Sequence, residues 1–226
     1  MTTRRLPLFL GPILLGALAS TGCGGVFDST LPAPQSYVLR LPPAVGPAAA
    51  ATVGSVLLQR PEAGPGLESE RIALLRSDQR FDFYAASRWA APAPDVVESV
   101  MVDALRATGA FSAVFDDSAP FSPRYSLRCA LRRFEADYTK NVSVPTVQVA
   151  LDCTLGKHRE RELLASFTAQ GSAAASEDRL NAVVAAFESA TATAMTELGR
   201  AVSAAVANEK PVGERPAGER SASESR

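Results

Sequence analysis

Arg124-Tyr125-Ser126-Leu127-Arg128-Cys129-Ala130-Leu131-Arg132 and Val147-Gln148-Val149-Ala150-Leu151-Asp152-Cys153-Thr154-Leu155 are the two stretches whose reading decides the fold. Tyr125, Leu127, Cys129 and Leu131 alternate with polar or small residues, and so do Val147, Val149, Leu151, Cys153 and Leu155. A period of two is that of a strand with one covered face, as in antiparallel sheets packed on one side. A hairpin symmetric about Asn141 sets Cys129 opposite Cys153 on the apolar face, whereas a bulge near Glu135 or Pro145 shifts the register and separates them. Directly opposed β-carbons lie about 4.5–5.5 Å apart, somewhat longer than a relaxed disulfide prefers. At this point the pair stays open between a bridge and two reduced cysteines acting as small core hydrophobes.

Upstream of the hairpin, Tyr37, Leu39 and Leu41 alternate as a first strand, and Pro42 to Ala51 reads as a surface loop. Val53 to Gln59 reads as a strand halted by Pro61 and Gly64-Pro65-Gly66. Ile72 to Leu75 and the alternating Phe81, Phe83 and Ala85 flank a turn at Asp78-Gln79. Pro94 and Asp95 suit the first turn of a helix, Val96, Val97, Val100, Met101, Ala104 and Leu105 recur at helical spacing, and Gly109 closes it. Phe111 to Phe115 reads as a short edge strand. Downstream, Lys157-His158-Arg159 forms a hairpin tip before a strand from about Leu163 to Ala169. The spacing of Leu180, Val183, Val184, Phe187, Thr191, Ala194, Leu198, Val202 and Val206 predicts a helix over 177–206, with Ser176 as N-cap and a bend near Gly199. The fold class is therefore α+β: a mainly antiparallel sheet of about six to eight strands with two helices packed on one face.

The two ends read differently from this domain. Arg4 and Arg5, an apolar stretch from Leu6 to Ala19, and Ser20-Thr21-Gly22-Cys23 have the layout of an export signal. The apolar part falls short of the roughly 20 residues a spanning helix needs. It resembles the bacterial lipoprotein signal, which implies cleavage after residue 22 and lipidation of Cys23. Ser20 stands where such signals usually carry Leu, and the alternative is a plain signal peptide with an incidental cysteine. Residues 23–36, with Pro32 and Pro34, read as a tether. Residues 207–226, rich in Pro, Gly, Glu, Arg and Ser, read as a disordered tail, which leaves 37–206 as the domain.

The formal net charge of −1 falls to −3 on loss of Arg4 and Arg5. A nucleic-acid partner normally demands a basic surplus, and there is none. His158 is the single histidine, so a structural zinc site or a His-dependent triad has almost nothing to work with. We expect no cofactor, no metal site and no catalytic residue. Glu135 and Asp137 share a face at a strand end and read as solvated surface carboxylates rather than an acid–base pair. Arg88 and Trp89, and Lys157 and Arg159, are candidate partner surfaces, since Trp and Arg are enriched at binding hot spots. The structural alternatives are a Trp89 that caps the core at the strand-to-helix corner and a charged hairpin tip that discourages edge aggregation.

Tyr37-Val38-Leu39, Arg71-Ile72-Ala73, Phe83-Tyr84-Ala85-Ala86-Ser87-Arg88-Trp89-Ala90, Pro94 opening a helix, Phe134-Glu135-Ala136-Asp137-Tyr138 and the final alanine-rich helix together resemble the ABC-type transport auxiliary lipoproteins, the group that includes paraquat-inducible protein C. The resemblance covers about residues 37–206. It implies a non-catalytic periplasmic auxiliary or docking subunit of a transporter that moves lipids between membranes, with an MCE-domain protein and an ABC permease and ATPase as partners. Gly24 is not the Asp that favours inner-membrane retention, so a lipid anchor on the periplasmic face of a Gram-negative outer membrane is expected. A homo-oligomer is compatible with this reading. The alternative is a lipoprotein that itself carries a hydrophobic ligand, which requires an apolar cleft of roughly 300–1,000 Å³.

Overall fold

The computed structural model describes residues 33–41, 54–140 and 143–209. The expected signal peptide, Cys23, the 42–51 loop and the tail from residue 210 lie outside them. Among the described residues the order is β1 (Gln35–Tyr37), β2 (Ser55–Leu58), β3 (Glu62–Ala63), β4 (Arg71–Leu75), β5 (Phe81–Trp89), α1 (Ala93–Ala107), β6 (Ala113–Phe115), β7 (Tyr125–Asp137), β8 (Thr146–Lys157), β9 (Glu162–Ala174) and α2 (Leu180–Ala207). The strands form one sheet of nine.

β7 is its centre. On one edge it pairs antiparallel with β8 from Tyr125–Lys157 to Asp137–Thr146, and β8 pairs antiparallel with β9. On the other edge β7 is shared in succession by three short strands, all parallel to it: β2 against Tyr125–Leu127, β3 against Ala130–Leu131 and β4 against Glu135–Asp137. β6 continues the sheet beyond β2, in parallel; β5 lies antiparallel beyond β4, and β1 is parallel to β5. The expectation of a mainly antiparallel sheet holds in part: the three long strands and the β4–β5 pair are antiparallel, but the other short strands join in parallel, so the sheet is mixed. Periodicity reports which residues face inward, and it carries no information on strand direction.

The hairpin keeps the register of a turn symmetric about residue 141 at its open end, where Leu127 opposes Leu155 and Leu131 opposes Leu151. A bulge does occur, but between Leu131 and Arg133, so that Arg133 opposes Ala150 and Phe134 opposes Val149. On the turn side the ladder is offset by one residue, with Asp137 opposite Thr146, and the extra residue of the bulge restores the register in which the cysteines oppose. Cys129 and Cys153 are direct partners with Cα atoms 4.1 Å apart, and their sulfurs lie 2.01 Å from each other. Both are buried in the core.

α1 begins as expected, with Pro94 in its first turn beside Asp95, and ends where Gly109 takes φ +63°. Val97, Val100, Met101 and Leu105 are buried against the sheet. α2 starts later than Ser176 would place it: its N-cap is Arg179, without a side-chain cap, and Asp178 just before it accepts a hydrogen bond from the Tyr138 hydroxyl at 2.5 Å. The helix is continuous over 28 residues, and Gly199 is the point where it meets α1, a β-carbon there falling 3.0 Å from Thr108 Cγ2. Both helices join one core that includes Leu58, Ile72, Leu127, Leu131, Phe134, Leu151, Leu155 and Phe187, all fully buried.

The tightest helix–sheet contact is at Gly171 of β9, where a β-carbon would sit 1.9 Å from the Ala190 carbonyl oxygen and 2.9 Å from the Ala194 nitrogen. Ala190 and Ala194 are themselves fully buried, so small residues on both sides let the backbones touch. Gly171→Ala forces α2 off the sheet and is expected to cost about 2–3 kcal/mol. Thermal denaturation should register this as a fall in Tm of roughly 5–10 °C; an unchanged Tm would show that α2 is not seated on Gly171.

Candidate docking surface

Between β4 and β5 the register jumps from Ala73–Phe83 to Arg71–Arg88, so Tyr84-Ala85-Ala86-Ser87 bulges out opposite a single residue. Ala86 takes φ +50°, a left-handed conformation unfavourable for a residue with a β-carbon. The bulge turns Trp89 inward, where it is fully buried with its ring 5.5 Å from Phe134 and 5.1 Å from Phe187. Trp89 therefore presents no surface to a partner, and the core-capping alternative describes it. Arg88 remains exposed, tied to Glu70 at 3.0 Å and to Ser36 Oγ at 3.2 Å. Tyr84 Oη lies 2.8 Å from Tyr138 Oη, which bonds Asp178 in turn. Burial pushes the Tyr84 hydroxyl up to about 12, and burial followed by the Asp178 contact pushes Tyr138 up as well.

At the other end of the hairpin, Lys157 is not a free cation. Its side chain is 11% exposed and pairs with Glu162 at 2.8 Å and Glu209 at 3.4 Å. Glu209 also accepts hydrogen bonds from Arg124 at 3.1 Å and from the Tyr125 hydroxyl. Burial works to raise its carboxyl, but these three donors hold it below the usual carboxylate range. Ordered structure thus runs past residue 206, to a carboxylate that sequence reading assigned to the tail. His158, Arg159 and Glu160 are exposed in the turn, so Arg159 alone of the tip pair is displayed.

A cleft of about 470 Å³ opens beside the turn-side end of β7, lined by Leu75, Phe81, Arg132, Arg133, Glu135 and Asp137 among others. The expectation of solvated carboxylates here is corrected. Glu135 is 5% exposed: the Leu131–Arg133 bulge reverses which residues of β7 face the core, and Glu135 lies in the sheet between Gln148 of β8 and Ala73 of β4. Arg133 bridges Glu135 at 2.6 Å and Asp137 at 2.9 Å. Burial pushes the Glu135 carboxyl up against the pull of Arg133, while Asp137, despite partial burial, is held low by the Thr139 hydroxyl and amide and by Arg133. A second cleft, of about 430 Å³, is lined by Asp95, Glu98, Asp103, Arg106 and Asp116 with Ser99 and Val102. Both are surface grooves that combine charged side chains with apolar ones, Pro65, Leu75 and Phe81 in the first and Val102 in the second.

A protein from Xanthomonas campestris has a similar structure: TM-score 0.66, 28% identity, covering 75% of this chain and 96% of that one. A second solved structure, of an uncharacterized protein, matches with a TM-score of 0.58 at 14% identity over 76% of this chain and 99% of its own. Among curated proteins none matches. The architecture is thus that of a two-helix, mixed-sheet domain found in other solved structures. Residues 37–199 match the family described as ABC-type transport auxiliary lipoprotein component, and the chain belongs to that family.

Arg133→Met leaves Glu135 buried without its counter-charge, which costs about 2 kcal/mol once the partial exposure of Arg133 is allowed for. The penalty should shrink as the carboxyl takes up a proton, because a carboxyl raised by burial destabilises the fold only when ionised. The Tm difference between wild type and variant is expected to be larger at pH 7 than at pH 4. An equal difference at both would remove Glu135 from the explanation.

Proposed function

We propose that this protein is a periplasmic lipoprotein, lipidated at Cys23, that acts as a non-catalytic docking subunit of an ABC transporter moving lipids between membranes with an MCE-domain protein. The observation that carries this reading is the family match over residues 37–199, nearly the whole described domain. The anchor holds the domain at the inner leaflet of the outer membrane, and the exposed face of β7 and β8, with Arg128, Arg132, Asp152 and Thr154, offers a polar surface to the periplasmic part of the transporter. A carrier of hydrophobic ligands is the weaker reading, since the core between helices and sheet is filled by large side chains and both clefts are open grooves lined in part by charged side chains.

Two experiments test it. Metabolic labelling with a fatty-acid probe should modify the wild-type chain and not Cys23→Ser, and periplasmic cross-linking followed by purification from membranes should recover an MCE-domain protein. Stoichiometric bound lipid with no transporter component would favour the carrier instead.

Export also places Cys129 and Cys153 in an oxidising compartment. We propose that they are bridged there, closing a loop with a sequence separation of 24 residues. Replacing both by Ala should then cost about 3 kcal/mol. Thiol titration of the unfolded native protein that detects these two cysteines as free would refute the bridge.

A further inference from the structure

Strand register builds the larger cleft. Leu75 opposes Phe81 on one side and Asp137 on the other, so these three side chains share one face of the sheet, and Ala73 sets Phe83 and Glu135 in the next row of that face. Leu131 opposes Leu151 while Arg133 opposes Ala150, which leaves Arg132 as the extra residue of the bulge. A bulge re-aims side chains, and here the chain neighbours Arg132 and Arg133 both line the cleft. Its apolar wall is fixed as well. A β-carbon on Gly66, which takes φ +81°, would fall 2.6 Å from Phe81 Cε1, and the Phe81 ring meets Phe83 edge-on at 5.4 Å. Phe81 is thus held in place while it stays exposed.

The charges of this cleft are sorted by depth. Arg133 donates from Nε to Glu135 at 2.6 Å and from Nη2 to Asp137 at 2.9 Å, and Arg132 donates from Nε to Asp152 at 2.8 Å. The second oxygens of Glu135 and Asp137 accept from the Phe134 amide and from the Thr139 amide and hydroxyl. The Glu135 and Asp137 side chains are 7% and 11% exposed, against 40% for Arg133 and 58% for Arg132. Asp152, which holds Arg132, is outside the cleft lining. A group entering the cleft therefore reaches guanidinium donors, while the two acids lie behind them with their oxygens engaged. Nη1 of each arginine has no hydrogen bond among the described residues.

We propose that the cleft takes an acidic side chain of a partner protein, with its carboxylate on Arg132 and Arg133 and an adjacent apolar residue on Phe81. Charge complementarity selects a carboxylate over an ammonium group, since the donors are open and the acceptors are buried. A guanidinium already fixed by buried acids gives up little freedom on binding, and its planar fork matches a carboxylate. The apolar wall consists of Pro65, Leu75 and Phe81, enough for one apolar side chain and short for an acyl chain. This inference rests on the docking role proposed above and gives it a contact of stated chemistry.

The test titrates the isotope-labelled full chain, in an uncharged maltoside detergent, with a hexapeptide alternating glutamate and leucine, and follows the arginine Nε–H signals by NMR. The Arg132 and Arg133 signals should shift and saturate with a Kd below about 1 mM, and a peptide carrying lysine in place of glutamate should leave them unmoved. Arg132→Lys keeps the charge and loses the fork, so it should bind about tenfold more weakly. Phe81→Ala should weaken binding about fivefold, whereas Arg159→Gln, at the distant hairpin tip, should bind as wild type does. Thermal melts confirm that each variant is folded, and both Arg132 and Phe81 are exposed enough to be replaced. No saturation by about 10 mM peptide, equal binding of the lysine peptide, an Arg132→Lys variant that binds like wild type, or displacement of the peptide by dihexanoyl phosphatidylglycerol would each overturn the site. None of these readouts involves a transporter, so failure to recover an MCE-domain protein counts against the proposed function, and failure of the peptide to bind counts against this cleft.

Discussion

Backbone pairing along β7 is the constraint on which the remainder of the structure rests. Its 13 residues are bonded to β8 on one edge, and on the other they serve β2, β3 and β4 in turn. A short strand gains little stability alone, and β3 has only 2 residues. Each of the three is held because a long central strand already presents donors and acceptors in register. The same two edges fix the layer beneath, since α2 can seat on β8 and β9 only once β7 has placed them.

α2 is fastened to β7 at both of its ends. Tyr125 opens β7 and bonds Glu209 just beyond the last turn of α2, while Tyr138 follows the end of β7 and bonds Asp178 just before the first turn. The helix thus runs back along the strand with a tyrosine hydroxyl and a carboxylate at each end. Neither contact is much in energy alone, about 1–3 kcal/mol for a bond to a charged group. Together they set the position of a helix whose alanine-rich face would otherwise slide along the sheet, and Gly171 sets its height.

What this architecture leaves for function is surface. The interior is filled by Trp89, Phe134, Phe187 and aliphatic side chains, and both clefts carry charged side chains in their walls. The arginine that bridges Glu135 and Asp137 is itself 40% exposed, so the cleft beside β7 displays charge on a rigid strand rather than on a loop.

Much was legible from residues alone. The two amphipathic faces of the hairpin, the α1 stripe with Pro94 and Gly109 at its ends and the long α2 stripe all follow from local periodicity and turn chemistry, which act over a few residues, whereas the opposition of Cys129 and Cys153 also depends on the Leu131–Arg133 bulge. Strand direction, the Leu131–Arg133 bulge, the burial of Glu135, the inward turn of Trp89 and the clamp on Glu209 were settled only by tertiary structure. Each depends on a neighbour far away in the chain: β4 flanks Glu135 in the sheet, Phe134 and Phe187 enclose Trp89, and Tyr125 captures Glu209 from 84 residues away. The side-chain pattern encodes which face of an element is covered, whereas the identity of the covering element is decided by pairing and packing across the whole domain.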